Sequence, residues 1–177
     1  MRKTTIAMFC VCFAFGVAGL LLAQGKKRAS PHETTSATIG GHKITIEYGR
    51  PYKKGRKIFG GLEPFGKVWR TGADEATVLA TAADLTIGTL KVPKGSYGLF
   101  TIPGQEQWTL VINKVAKQWG AFEYNQSEDV GRAAMKVESL AQPLEQLTIA
   151  IEPRDGNQGL LKITWDTTAA SVPIVVH

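Results

Sequence analysis

Lys43-Ile44-Thr45-Ile46-Glu47-Tyr48 alternates polar and apolar side chains without a break. In an extended chain successive side chains point to opposite faces. This run therefore puts Ile44, Ile46 and Tyr48 on a core and Lys43, Thr45 and Glu47 in water. A helix would need apolar residues three and four apart, and the spacing here is two. The same beat returns downstream. Leu147, Ile149 and Ile151 alternate with Thr148 and Glu152, and Leu161, Ile163 and Trp165 with Lys162, Thr164 and Asp166. Trp108, Leu110 and Ile112 alternate with Thr109 and Asn113, although Val111 places an apolar side chain on the other face. Further candidate strands are Thr77–Thr81, Leu85–Val92, Ser96–Ile102, Arg132–Val137 and Val172–Val176.

Gly40-Gly41, Pro93-Lys94-Gly95, Pro103-Gly104 and Asp155-Gly156-Asn157 separate these runs. They supply the positive φ, or the fixed proline φ, that tight turns require. Strands so close together leave no room for crossover helices, so neighbours pair antiparallel. The best helical candidate, Ser127–Met135, contains Gly131 and alternates as well as it spirals, and it reads as strand or turn. The pattern predicts an all-β fold: an antiparallel β-sandwich or flattened barrel of about nine or ten short strands, with one long irregular basic and aromatic loop.

The first residues read differently. Arg2 and Lys3 are followed by 18 uncharged residues, Ile6 to Ala23, and then by the abruptly polar Gly25-Lys26-Lys27-Arg28. That is the order of parts in a secretory signal, with cleavage expected near Ala23. Residues 24–34 then form a flexible polar leader and residues 35–177 a single β-rich domain. The alternative is a retained N-terminal membrane anchor, but a helix of this length spans only about 27 Å, and Gly16 and Gly19 interrupt it. Export places the domain in the periplasm or outside the cell. Both cysteines, Cys10 and Cys12, lie in the signal, which leaves the domain without disulfide, thiolate metal site or redox motif. Loss of Arg2 and Lys3 lowers the formal charge of +6 only slightly. A domain of about 150 residues buries a core large enough to need no staple.

The stretch from Arg50 to Asp74 escapes the alternation. Between Arg50 and Arg70 it carries seven basic residues (Arg50, Lys53, Lys54, Arg56, Lys57, Lys67, Arg70), the single acid Glu63, and the aromatics Tyr52, Phe59, Phe65 and Trp69. A long irregular insertion in a compact domain is more often functional than accidental. Lys54-Gly55-Arg56-Lys57-Ile58-Phe59-Gly60-Gly61-Leu62 and Val68-Trp69-Arg70-Thr71-Gly72-Ala73-Asp74-Glu75-Ala76-Thr77 resemble a bacterial exported family, the domain of unknown function DUF2911. Pro93-Lys94-Gly95-Ser96-Tyr97-Gly98-Leu99-Phe100-Thr101-Ile102-Pro103 and the pair Trp119-Gly120 do so too, and the likeness runs from about Ser30 to Ile174. The resemblance implies export and a single β-rich domain. It transfers no reaction, ligand or catalytic residue.

The chemistry therefore has to come from the residues. Arginine offers a planar fork for carboxylate or phosphate, which makes Arg50, Arg56 and Arg70 candidates for an anionic ligand, with Lys54 beside them. The bland alternative is a solvated basic loop. Tyr52 and Trp69 add aromatic faces with a polar handle, as sugar sites use; Phe59 and Phe65 are expected to turn inward and anchor the loop, and an inward Trp69 is the alternative to a contact. Asp74 and Glu75 are adjacent, so on a strand they face opposite sides; Asp74 is expected to pair with Arg70. A carboxylate couple of either residue with Glu47 or Glu123 is the catalytic alternative. His32, His42 and His177 share no metal-ligand spacing, so no metal is expected, nor any cofactor. Ser96 lies in no nucleophile elbow, and nucleic acid is a poor partner for an exported chain. The leading expectation is a non-enzymatic binding or envelope-associated module for an anionic or carbohydrate ligand, with candidate contacts Arg50, Tyr52, Lys54, Arg56, Trp69, Arg70 and Asp74. A glycan- or ester-hydrolysing enzyme using Asp74 or Glu75, and a structural envelope protein binding another protein, are the alternatives.

Overall fold

The computed structural model describes residues 28–177, and the expected signal segment 1–23 lies outside them. Nine strands follow in chain order: β1 (His32–Ile39), β2 (His42–Gly49), β3 (Thr77–Thr81), β4 (Leu85–Ile87), β5 (Leu90–Val92), β6 (Gly95–Ile102), β7 (Gln107–Asn113), β8 (Asp129–Pro153) and β9 (Gln158–Val176). All pairings are antiparallel, in the order β1-β2-β3-β6-β7-β8-β9-β4-β5. β1 and β5 are free edges, so the sheet is folded over without closing into a barrel.

Two strands are long where short ones were expected. The runs Arg132–Val137 and Leu147–Glu152 belong to one strand, β8, whose register with β9 shifts between Ser139 and Leu144 and again between Leu144 and Thr148. Opposite Leu144, Asp166 takes φ of 53°. Such bulges sharpen twist and bend, and they let one hairpin pass from one layer to the other. The first part of β8 pairs with β7 and, over Lys136–Ser139, with β9; Thr148–Pro153 pairs with β9, and β8 also packs against β1. Leu85–Val92, read as one strand, is a hairpin in which Gly88 takes φ of 60°. β1 begins at His32, inside the expected leader, because the β1–β2 pairing runs out to His32 opposite Gly49.

The alternation does what its period requires. Ile44, Ile46 and Tyr48 of β2 and Leu147, Ile149 and Ile151 of β8 are buried in one core with Leu161, Ile163 and Trp165 of β9. Each such side chain contributes about 1.5–3 kcal/mol on leaving water. Tyr48 lies across the layers, its phenolic oxygen accepting the Ile149 N–H at 3.1 Å. Val111, the residue that broke the pattern, packs in a second small cluster with Ala76 and Phe100 on the opposite face. Val68, Ala121 and Tyr124 cover that cluster, so loops bury both faces of β6 and β7.

The Arg50–Asp74 stretch is irregular but pinned. Short bridges join Tyr52 to Gln146 and Trp69 to Thr101. Ile58 and Trp69 are buried, and Phe59 packs edge-on against Trp108 with ring centroids 4.5 Å apart. Trp69 stacks on Trp165 at 6.0 Å. The loop plugs one end of the core with aromatic rings, which explains its fixed course.

Candidate functional site

The segment Thr71–Ala76 is the pivot of the site. Thr71 and Asp74 both take left-handed φ, 59° and 63°. The Thr71 hydroxyl meets Thr101 Oγ1 at 3.0 Å, Thr77 Oγ1 donates to the Thr71 carbonyl at 2.9 Å, and the Ala73 N–H donates to the Gly49 carbonyl at 3.2 Å. The twist at Asp74 breaks the strand period. The carboxylates of Asp74 and Glu75 consequently meet the same two partners, contrary to the opposite-face expectation. Arg28 holds Glu75 with both terminal nitrogens, Nη2 at 2.8 Å from Oε1, and its Nη1 lies 4.0 Å from Asp74 Oδ2. His32 Nε2 stands 3.1 Å from Glu75 Oε2 and 3.6 Å from Asp74 Oδ2. One ligand-type atom from each of His32, Asp74 and Glu75 falls within 4.8 Å of the others, a grouping that chain spacing did not show. The cation held there is the Arg28 guanidinium. Its hydrogen bond and charge bring the Glu75 carboxyl down to about 2.

On one side of this pivot a cavity of about 470 Å³ opens beneath the loop. Lys54, Arg56 and Arg70 line it with Glu63 and Asp74, Tyr52 and Leu62 stand at its wall, and Trp165 backs it. Arg56 is oriented by its own loop, donating to the Lys53 carbonyl at 2.9 Å and the Tyr52 carbonyl at 2.5 Å. Arg70 is partly buried, and its Nε–H is buried without a partner. It forms no ion pair within 4.0 Å among the described residues, so the expected Arg70–Asp74 pair is absent. Leaving a buried donor unpaired is costly, and it marks Arg70 as a cation still short of a counter-charge. Burial pushes the Glu63 carboxyl up to about 7, against the pull of Arg70 and Arg56. A carboxyl that is half neutral near pH 7 adds a hydroxyl donor to a cationic wall.

On the other side lies a second cavity, also about 470 Å³, between β2 and the 114–124 segment. It contains Glu47, Glu75 and Glu123 together, with Trp119 at its edge. Of the residues that the catalytic alternative named, Glu47, Glu75 and Glu123 line this cavity and Asp74 lines the other. The 114–124 segment is zipped onto the pivot: Gly120 N–H donates to the Asp74 carbonyl at 3.1 Å and Ala76 N–H to the Gln118 carbonyl at 3.0 Å. Buried Asn113 ties down both of its ends through Val115 N–H and the Asn125 carbonyl.

The family model for a protein of unknown function, DUF2911, matches residues 30–174. The chain belongs to this family. No curated protein and no solved structure matches it.

Of the seven candidate contacts, the DUF2911 domain brings Tyr52, Lys54, Arg56, Arg70 and Asp74 to one cavity. Two stand elsewhere. Arg50 clamps the loop to the neighbouring layer, donating to the Leu147 carbonyl at 2.8 Å, Thr148 Oγ1 at 2.9 Å and Glu33 at 2.7 Å. Trp69, a candidate contact whose alternative was an inward anchor, is buried in the aromatic plug. Phe59 does turn inward, whereas Phe65 stays 38% exposed and packs over Gly60. Lys53 is spent on Asp166, 2.6 Å away. Sequence reasoning missed Glu63, a lone acid among seven bases, although that isolation was itself a visible signal. It also missed the role of Gln118 and Trp119, whose only cue was an aromatic stranded between strands.

Proposed function

We propose that this DUF2911 domain is an exported, non-enzymatic binding module whose cavity beneath the Arg50–Gly72 loop takes a small anionic ligand of sugar type. The observation that carries the reading is the convergence of Lys54, Arg56 and Arg70 on one cavity, with Arg70 Nε buried and unpaired. An arginine fork takes a carboxylate or phosphate in two parallel hydrogen bonds. Tyr52 and Leu62 supply apolar surface for the rest of the ligand, and Glu63 with Asp74 can hydrogen-bond hydroxyls. A volume of about 470 Å³ suits a monosaccharide or disaccharide rather than a polymer lying along the surface. The signal-like residues 1–23 support a place in the periplasm or outside the cell, where uronic acids and sugar phosphates occur in envelope polymers.

The test is a thermal-shift series with glucuronate, glucose and inorganic phosphate. Glucuronate raises the melting temperature, glucose does not, and an Arg56→Ala, Arg70→Ala double variant loses the shift. An equal shift with glucose, or an undiminished shift in the variant, contradicts the reading.

One observation favours a hydrolytic second reading. Glu63, held up to about 7, shares its cavity with the carboxylate of Asp74, and glycosidases need one protonated and one ionised carboxyl. Turnover of p-nitrophenyl glucuronide that Glu63→Gln abolishes is the outcome that selects it.

A further inference from the structure

The second cavity has the opposite chemistry. Glu75 is already occupied by Arg28, but Glu47 and Glu123 form no ion pair within 4.0 Å among the described residues, and both are exposed. Gln118 lines the same cavity and is only 7% exposed. Its amide orientation is set because Nε2 donates to the Val115 carbonyl at 2.8 Å, which leaves Oε1 buried without a partner. A buried acceptor with no donor calls for a donor from outside the chain. The cavity thus presents two uncompensated carboxylates and an orphan amide oxygen. Against them stand the exposed Lys117, and His32 beside Glu75. Trp119, 55% exposed, offers an aromatic face at the rim. Acceptors paired with an indole face are the environment that holds an alkylammonium group, through charge-assisted hydrogen bonds and cation–π attraction. The volume, about 470 Å³, is far larger than a bare ion needs.

We infer that the cavity between β2 and the 114–124 segment is a second ligand site, one that takes a primary ammonium group carried on a small polar molecule. Glu47 and Glu123 neutralise the ammonium, Gln118 Oε1 accepts one hydrogen bond from the ligand, and Trp119 covers its apolar face. The site stands on residues separate from the arginine cavity and does not depend on what that cavity binds.

Trp119 supplies the readout. The chain has four tryptophans, and Trp69, Trp108 and Trp165 are each no more than 3% exposed. Acrylamide quenching therefore reports chiefly on Trp119. The probes are glucosamine and putrescine, with N-acetylglucosamine as the neutral counterpart and glucuronate as the anionic one. At least one amine shields Trp119 from acrylamide, while N-acetylglucosamine and glucuronate do not. A Glu47→Gln, Glu123→Gln double variant, isosteric at two exposed positions, weakens the shielding by about tenfold while keeping its melting temperature. Shielding by N-acetylglucosamine equal to that by glucosamine, no shielding by either amine, or full shielding in the double variant overturns the assignment. Glucuronate binding beneath the loop leaves these outcomes unchanged, so failure here and failure of the arginine site are told apart.

Discussion

Gly49 and Ala73 are in direct backbone contact: Ala73 N–H donates to the Gly49 carbonyl at 3.2 Å, and a Cβ on Gly49 would stand 2.1 Å from the Ala73 carbonyl oxygen. That contact seats the pivot on the end of β2 and puts Asp74 and Glu75 between the two cavities. Gly49→Ala forces the two backbones apart and should cost about 1–3 kcal/mol or more. Chemical denaturation reads the loss. A Gly49→Ala variant as stable as the parent contradicts the close approach.

The aromatic plug carries the second expectation. Trp69 is 3% exposed and stacks on Trp165, so Trp69→Ala leaves a large cavity at the root of the loop. The expected cost is about 3–5 kcal/mol. The same variant should weaken glucuronate binding, because Arg70 follows Trp69 in the chain and loses its anchor. Arg50→Ala, which removes the clamp onto Leu147 and Thr148, should loosen the same loop from its other end. Hydrogen exchange across residues 50–70 distinguishes a loosened loop from global unfolding.

Glu63 makes both stability and binding depend on pH. Its folded pKa of about 7 lies above the ordinary 4.5, so the folded chain holds this proton more tightly than the unfolded one. The contribution is fully present below about 4.5 and is lost as pH rises through about 7. Glu63 is partly solvated, and after allowance for screening the effect is on the order of 1–2 kcal/mol. Relative to a Glu63→Gln variant, the parent should lose melting temperature across that window. Neutral Glu63 also repels an anion less, so glucuronate should bind more tightly as pH falls through about 7. In Glu63→Gln the slope should vanish. A parent with a flat profile contradicts the burial of this carboxyl.

Arg28 and Glu75 form an exposed pair whose main effect is on titration. Arg28→Ala should return the Glu75 carboxyl from about 2 toward 4.5, as followed by carboxyl NMR. The sign is that of a lowered acid: the pair stabilises the fold above about 4.5 and loses that effect as pH falls through about 2. Because both side chains are open to solvent, the change in overall stability should be small. An unmoved Glu75 titration in Arg28→Ala contradicts the contact.

What the sequence showed and what it hid divide along one physical line. Strand β2 was legible because six alternating residues suffice to define its two faces, and β3 was readable end to end as Thr77–Thr81. The length of β8 was hidden, since its bulges between Ser139 and Thr148 scramble the two-residue beat that marks a strand. At the site, residue types were legible: Lys54, Arg56 and Arg70 were chosen for their charge and do share a cavity. Their long-range partners were not. The spending of Arg50 on β8 depends on a residue 97 positions away, and the convergence of His32 on Glu75 depends on how β1 is paired. Asp74 misled because adjacent residues point apart only while φ stays negative and extended, and here φ is 63°. Trp69 misled because an aromatic with a polar handle can be buried with that handle unpaired, as its Nε1 is.

The arginine cavity is tested most directly at Arg70 itself. In a titration of the isotopically labelled protein with glucuronate, the side-chain Nε–Hε resonance of Arg70 should shift saturably, and glucose at the same concentration should leave it in place. A glucuronate titration in which that resonance never moves would contradict the account.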